Sequence, residues 1–184
     1  KHDSNQNYTR ALRCQVWLQA NRQTRNKYIK EFEQDVQALV KEGLRWGGKY
    51  TYGVPAPGAG QFDNSNCQFG VLGVWAGARA NMEFDARTWQ DYWQKVLLLW
   101  TKRQCADGGW SYLEEKPTSN CSMTAAGVAT LFVCLDNLRA PDAIRTCQPA
   151  QRPEFKALDR GLEWLDKNFA ETIKPKSALM AANS

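Results

Sequence analysis

WTKRQCADGGWSY, residues 100–112, is the most informative segment of this chain for its fold. It contains a Q-x-x-x-G-x-W pattern made by Gln104, Gly108 and Trp110. A helix that reaches Gln104 must stop at the glycines, because glycine ends helices and adopts backbone angles that side chains forbid. Trp110 and Tyr112 follow at strand-like spacing, so their rings can pack back on the helix ends while the glutamine binds loop backbone. The stretch predicts a corner between helices.

Apolar periodicity predicts helices on both sides of this corner. They cover 8–22, 28–43, 67–80, a segment that follows a cap at Asp85, 121–135 and 155–169. Segments 67–80 and 121–135 are apolar nearly all round, so each must be covered on every side, whereas most of the others carry a single apolar stripe. This alternation predicts an all-α fold with two layers of helices, the enclosed set inside.

The sequence also repeats. Ser65-Asn66-Cys67 recurs 54 residues later at 119–121, and the glycine-aromatic stretch 48–52 corresponds to 108–112 at an offset of 60. Matching helix starts and matching corners are typical of stacked helix hairpins. We therefore expect one domain over residues 1–176, with a tail at 177–184. Its hairpins are expected at about 8–52, 63–112 and 120–170.

Composition limits the classes of partner. The chain has 184 residues, 43% of them hydrophobic, which suffices for one domain with a core. A net charge of +5, with acidic and basic residues interspersed, lacks the electrostatic footprint of a nucleic-acid-binding protein. The first thirty residues are the exception, since they carry seven basic residues and only Asp3 as an acid. We interpret them as a solvated basic face, with contact to an anion or a membrane surface as the alternative.

Histidine and cysteine usage limits the chemistry. The only histidine is His2, so a Ser-His-Asp triad, a Cys-His pair and a histidine-rich zinc site all lack their imidazole. The six cysteines show no C-x-x-C spacing, and we expect no metal and no cofactor. Most of these cysteines are expected to be reduced and packed in the core, with Cys105 or Cys147 as the best disulfide candidates.

The sequence gives little information about where the protein is located. No stretch approaches the ~20 apolar residues of a membrane span, and we expect neither a span nor a signal peptide in this sequence. An exported, periplasmic location and a cytoplasmic one both stay open.

The corner motif resembles that of a known family. Gln104, Gly108 and Trp110 match the Q-x-x-x-G-x-W repeat of squalene-hopene cyclases and of the related prenyltransferase and squalene-oxidase repeat proteins. The runs FDNSNCQFGVLG, QCADGGWSY, SMTAAG and DRGLEWL are similar to bacterial, planctomycete-type proteins of this class that lack an assigned reaction. The resemblance implies a partial or open α/α toroid of about three hairpins, with inner and outer helix layers.

The residues that would carry the family's chemistry differ. The cyclases begin an inner helix with D-x-D-D, whose central Asp protonates the substrate. The matching residues here are Asp63, Asn64, Ser65 and Asn66, and neither a hydroxyl nor an amide can deliver a strong proton. The prenyltransferases hold zinc with Asp, Cys and His, and this chain has no internal His. The resemblance therefore implies the architecture of the family, but neither the cyclase reaction nor the prenyltransferase reaction.

Candidate site residues cluster near the start of this inner helix. The candidate catalytic carboxylates are Asp63, Glu114 and Glu115. The candidate ligand-binding residues are Asp63, Asn64, Asn66, Cys67, Trp75, Trp110 and Tyr112. Each has a structural alternative, which is a helix cap for Asp63, a solvated loop position for the glutamates, and packing for the tryptophans and Cys67. Asp107 is expected to shape the glycine turn.

These patterns favour a non-catalytic binding or scaffold module. Its apolar, aromatic-lined concave surface would hold an isoprenoid-like or polymeric ligand, or a protein segment. The alternative is an enzyme of terpenoid cyclase, transferase or carbohydrate-active type that uses carboxylates. Three hairpins leave two open edges, so we expect the chain to be a piece of a larger toroid or to form a homodimer.

Overall fold

A computed structural model of the chain describes residues 6–52, 62–82, 84–114, 117–139 and 153–172. Six helices form, and the described residues contain no strand, so the predicted all-α class is confirmed. The helices are α1 (Gln6–Thr24), α2 (Ile29–Arg45), α3 (Asn64–Arg79), α4 (Ala86–Lys102), α5 (Cys121–Arg139) and α6 (Pro153–Thr172). His2, Cys147 and the predicted tail at 177–184 lie outside the described residues.

Two aspartates set the starts of neighbouring helices. Asp63 caps α3 by accepting a hydrogen bond from the backbone N of Asn66, so α3 begins at Asn64, three residues before the predicted start. Asp85 caps α4 as predicted, accepting from the backbone N of Thr88 at 2.9 Å. Each cap satisfies a backbone N–H that has no partner inside the helix.

The helices pack in two layers. Helices α1, α3 and α5 are neighbours in one layer, and α2, α4 and α6 are neighbours in the other. Between the layers α1 and α3 pack on α2, and α5 packs on both α4 and α6. The core between them contains large side chains with no exposed surface, which include Tyr50, Tyr92, Trp93, Trp100 and Trp110.

Helix α5 is less enclosed than expected. We predicted that it would be covered on every side, but Ser122, Ala125, Ala129, Phe132 and Asp136 form an exposed stripe along it. The prediction was wrong because α5 is the last helix of its layer among the described residues and packs only on α3, α4 and α6. Helix α3, between two neighbours, has Arg79 as its only exposed residue.

The apolar character of α5 also bears on membranes. Residues 121–138 have a mean hydropathy of 1.4 over 18 residues, so this described helix has the length and composition of a membrane span. Half of the segment is buried against other helices, which is also the pattern of an ordinary core helix. The expectation that no stretch approaches a span understates this helix.

The corner at 100–112 joins consecutive hairpins. Gln104 donates from Nε2 to the carbonyl oxygens of Gly108 and Ala157, at 2.8 and 2.7 Å. Gly108 has a φ of +97°, and a Cβ there would lie 2.9 Å from a backbone oxygen of α6, so the turn requires glycine. Asp107 accepts hydrogen bonds from the Gly109 N, the Ser119 hydroxyl and the Trp164 ring. The predicted roles of Gln104 and Asp107 are confirmed.

Trp110 fills the space behind this turn. Its Nε1 donates to the carbonyl of Trp100 at 2.9 Å, which closes the end of α4. Its ring lies so close to α5 and α6 that a Cβ on Gly127 or Gly161 would meet it at 2.4 or 2.7 Å. One aromatic ring therefore contacts three helices.

The first corner repeats this arrangement with Tyr50. Its hydroxyl donates to the carbonyl of Leu39 at 2.8 Å, and a Cβ on Gly70 of α3 would meet its ring at 2.6 Å. Tyr50 and Trp110 are 60 residues apart, as the corner repeat predicted. The glycines beneath them, Gly70 and Gly127, are 57 apart, so the predicted offset of 54 for the inner helices is wrong.

Candidate functional site

The start of α3 forms a buried hydrogen-bond network, in which the Oδ1 of Asn7 has no partner among the described residues. Asp63 accepts from the backbone N and from the side-chain Nδ2 of Asn66, both at 2.8 Å, so each carboxylate oxygen has a donor. Asn7 of α1 donates to the Asn66 carbonyl oxygen at 2.9 Å and to its Oδ1 at 3.0 Å. All three side chains are buried. The structure thus uses the candidate acid Asp63 as a cap that ties α3 to α1.

A buried cation lies behind this network. Arg103 donates from Nη1 to Asn64 Oδ1 at 2.8 Å, and its Nη2 lies 3.1 Å from Glu114 Oε2. Asn64 in turn donates to the carbonyl of Ser111 at 2.8 Å. The side chain of Arg103 is 4% exposed, so the candidate acid Glu114 is its counterion. The sequence analysis did not identify Arg103 as a site residue, since its only signal in the sequence is its position directly before Gln104.

The cysteines of the described residues are thiols. Cys67 is buried beside Arg103, and burial raises its pKa to about 11. Burial also raises the pKa of Cys14 to about 12 and raises that of Cys134. A thiol that stays protonated at neutral pH is a poor nucleophile and a poor metal ligand. Cys105, a predicted disulfide candidate, is a free thiol.

The predicted aromatic ligand-binding residues differ in access. Trp110 is buried in the corner, whereas Trp75 is half-buried and Tyr112 is exposed. The guanidinium of Arg79 lies over the Trp75 ring, 5.0 Å from its centroid. Glu115, the third candidate carboxylate, lies outside the described residues. Among the predicted ligand-binding residues only Trp75 and Tyr112 reach the surface.

Three tyrosines meet beside the network, and we call them the tyrosine cluster. The hydroxyls of Tyr52 and Tyr112 are 2.6 Å apart. The Tyr8 ring stacks on that of Tyr52 at 5.6 Å between centroids, and its hydroxyl lies 2.5 Å from Ser65 Oγ. Burial raises the pKa of Tyr8 and of Tyr112, so both phenols are neutral at physiological pH. The corner repeat pairs Tyr52 with Tyr112, but nothing in the sequence places Tyr8 beside them.

The side of the first layer that faces away from the core is a continuous surface, which we call the open face. It consists of Tyr8, Leu12, Gln15, Val16, Ser65, Gln68, Leu72, Trp75, Ser122, Ala125, Ala129 and Phe132. Gln15 donates to the carbonyl of Leu72 at 2.7 Å, which joins the α1 and α3 parts. The α3 and α5 parts occupy positions 57 residues apart, the offset that relates Gly70 to Gly127. Leu12, Val16 and Phe132 are each more than half exposed.

No cluster of three or more metal-ligating side chains occurs in the part of the chain that the structure describes. Comparison of the chain with protein-family models, with curated proteins and with solved structures found no match. Membership of the squalene-cyclase repeat family therefore stays a prediction from the motifs of the sequence.

Proposed function

We propose that this chain is a non-catalytic binding module, built as a partial α/α toroid, whose open face holds an apolar, isoprenoid-like chain. The observation that carries the proposal is the composition of the open face, since none of its twelve side chains is charged. Arg13 borders the face beside Leu12, where it pairs with Asp35 of α2, and charged residues return at the next turn as Arg22 on α1, Arg79 on α3 and Asp136 on α5. A continuous uncharged surface with exposed apolar side chains is typical of a binding surface.

The energetics favour an apolar ligand. Burial of apolar surface stabilises a complex by roughly 25 cal/mol per Å². Leu12, Val16 and Phe132 offer such surface at three places, on the first and last helices of the layer. Elsewhere on the face Ala125 and Ala129 are small and Leu72 is only partly exposed, so an extended chain can lie across the layer.

The tyrosine cluster supports a ligand with one polar end. Its members Tyr52 and Tyr112 are about two-fifths exposed and lie at the end of the layer where α3 begins. Neutral phenols both donate and accept hydrogen bonds, so they suit a hydroxyl or another uncharged polar group. The non-catalytic assignment is supported by Asp63 and Glu114, because one caps a helix and the other pairs with Arg103.

Two matched leucines test the proposal. Leu12 lies on the open face and is 52% exposed, whereas Leu98 lies on α4 in the other layer and is 55% exposed. We expect farnesol or geranylgeraniol to quench tryptophan fluorescence saturably. Leu12→Asp should weaken binding about tenfold or more, because a carboxylate must lose its hydration against the apolar chain. Leu98→Asp should leave the affinity unchanged.

Three outcomes would contradict the proposal. Equal losses in both variants would mean that the open face is not the binding surface. A dimer seen by sedimentation that dissociates only in Leu12→Asp would show that a second copy of the chain covers the face. Products formed from squalene or prenyl diphosphates, and lost in Asp63→Asn, would establish the enzyme that the motifs left as the alternative.

A further inference from the structure

A crevice lies at the end of the molecule opposite the tyrosine cluster, where α1 ends, α2 begins and α3 ends. It encloses about 250 Å³, and its walls are formed by the last turns of α1 and α3 and the first turn of α2. Two arginines, three asparagines and no acidic residue line it. Because cations and amides dominate the walls, the crevice favours a ligand with a negative charge.

Asn21 supplies a buried donor in this crevice. The residue is 5% exposed, and its Oδ1 accepts a hydrogen bond from the backbone N of Tyr28 at 2.8 Å, which fixes the orientation of the amide. Its Nδ2 is buried and has no hydrogen-bond partner among the described residues. Buried donors in folded proteins nearly always have an acceptor, so this atom indicates where a ligand oxygen would lie.

Two guanidinium groups flank the same space. Arg22 and Arg79 both line the crevice, and no described carboxylate forms an ion pair with either. They lie in the last turns of α1 and α3, where a cation offsets the helix dipole but keeps its N–H donors free. Stacking on Trp75 holds the Arg79 guanidinium in place. Planar guanidinium groups match the geometry of a carboxylate.

The remaining walls are apolar. Leu18 and Phe32 are buried at the base of the crevice, and Ile29 borders it. An adjoining crevice of about 400 Å³ shares Ile29, Ala80 and Asn81, and its other walls are Met82, Phe84, Glu33 and Gln37. A ligand held at Asn21 can therefore place a short apolar tail against Ile29, while Glu33 and Gln37 lie further along.

We propose that this crevice binds a small organic carboxylate. Its oxygens accept hydrogen bonds from Asn21 Nδ2 and from the guanidinium groups of Arg22 and Arg79, and its apolar tail lies along Ile29. This site is separate from the open face, and it takes a charged ligand where the open face takes an uncharged one.

Three probes and NMR spectroscopy of the ¹⁵N-labelled chain test the site. Hexanoate carries both the charge and the tail, hexanamide lacks the charge, and inorganic phosphate lacks the tail. We expect hexanoate to shift the amide signals of Asn21, Ile29 and Asn81, with an affinity at least about tenfold higher than that of either other probe. Equal affinities for hexanoate and hexanamide would overturn the proposal.

Variants make the test specific. Arg79→Gln should weaken hexanoate binding about fivefold to tenfold, since one charged hydrogen-bond partner is lost. Arg87→Gln removes the same charge from an exposed position on α4 and should change nothing. Asn21→Asp keeps the acceptor for Tyr28 but replaces the donor by a repelling oxygen, so binding should disappear while the urea midpoint shows that the fold persists. Unchanged binding by Arg79→Gln would overturn the site.

Discussion

Arg103 shows how one charged residue can be buried at a corner. Its side chain is 4% exposed, whereas that of its partner Glu114 is 57% exposed, so the carboxylate reaches in from the solvent. Asn64 accepts a second hydrogen bond from the guanidinium, and the Nε of Arg103 is buried without a partner among the described residues. Burying a charge costs free energy unless a counterion offsets it. The stability of the corner should therefore depend on Glu114.

Glu114→Gln tests this dependence. The variant keeps the shape of the side chain but leaves the buried guanidinium without a negative charge. We expect the free energy of unfolding to fall by about 1 to 2 kcal/mol, less than for a completely buried pair because Glu114 is partly solvated. Urea denaturation measures the change.

Glu163→Gln is the matched control. Glu163 and Lys167 form an exposed pair at 4.0 Å on α6. Removal of this pair should alter stability by less than about 0.5 kcal/mol. An equal loss of unfolding free energy in both variants would mean that Glu114 contributes no more to stability than a member of an exposed ion pair does.

At the scale of elements, the corner aromatics set how hairpins stack. The rings of Tyr50 and Trp110 lie on Gly70 and Gly127 of the helix that follows each corner. The absence of a side chain at the glycine lets the ring and the helix backbone come into contact. Stacking of one hairpin on the next therefore depends on a ring and a glycine that are distant in the sequence.

Gly127→Ala separates this packing from helix propensity. Alanine in a helix is favoured over glycine by about 1 kcal/mol, but the new Cβ would lie 2.4 Å from the buried Trp110 ring. Overpacking costs about 1 to 3 kcal/mol, and it should win here because neither the ring nor the helix can move freely. We expect a net destabilisation, measured by thermal or urea unfolding.

A double variant decides whether the ring is the cause. Trp110→Phe removes part of the ring, so Gly127→Ala should be less costly in that background than in the native chain. Strict additivity of the two changes would mean that the clash with Trp110 does not explain the loss.

The sequence predicted the helices themselves better than the offset that relates one hairpin to the next. The helix start at Asp85 follows from local chemistry, because a cap acts within one turn. The offset of 54 rested on short matches at Ser65-Asn66-Cys67 and at Gly73-Val74, whereas the structural offset of 57 relates Gly70 and Gly127, on which the corner rings pack. Such a contact between distant residues has no local signal.

At the scale of the whole molecule, burial makes the fold sensitive to alkaline pH. Burial raises the pKa of Cys67 to about 11 and that of Cys14 to about 12, and it raises the pKa of Tyr50 well above its usual value. A folded-state pKa above the unfolded value adds stability that is complete below the unfolded pKa and is lost as pH rises through the folded one. The loss should begin near pH 9 and continue to about pH 12.

Urea midpoints between pH 7.5 and 10.5 test this. We expect stability to fall above pH 9 by on the order of 1 kcal/mol per pH unit for each buried thiol. Cys67→Ala should reduce this slope, while the same change at the half-buried Cys121 serves as the control. A slope that is unaffected by Cys67→Ala would show that its thiol does not contribute.

The sequence predicted where the residues of the candidate site lie, but not which way their side chains point. Asp63, Asn64, Cys67 and Tyr112 do lie together, because the corner and the helix start are neighbours in each hairpin. The structure turns the first three inward, where caps and Arg103 use them. The open face could not be predicted, since it depends on which side of α1, α3 and α5 remains without a neighbour.

Each corner ring packs on a glycine that comes later in the chain. The hairpins must therefore complete their packing in chain order during synthesis. During synthesis the Tyr50 ring can contact α2, but the surface of α3 is missing until Gly70 has left the ribosome. The Trp110 ring waits in the same way for Gly127 and then for Gly161. Each hairpin thus completes its core only when the next hairpin has been synthesised. At every stage of synthesis, the most recent corner ring therefore still lacks the helix that will cover it.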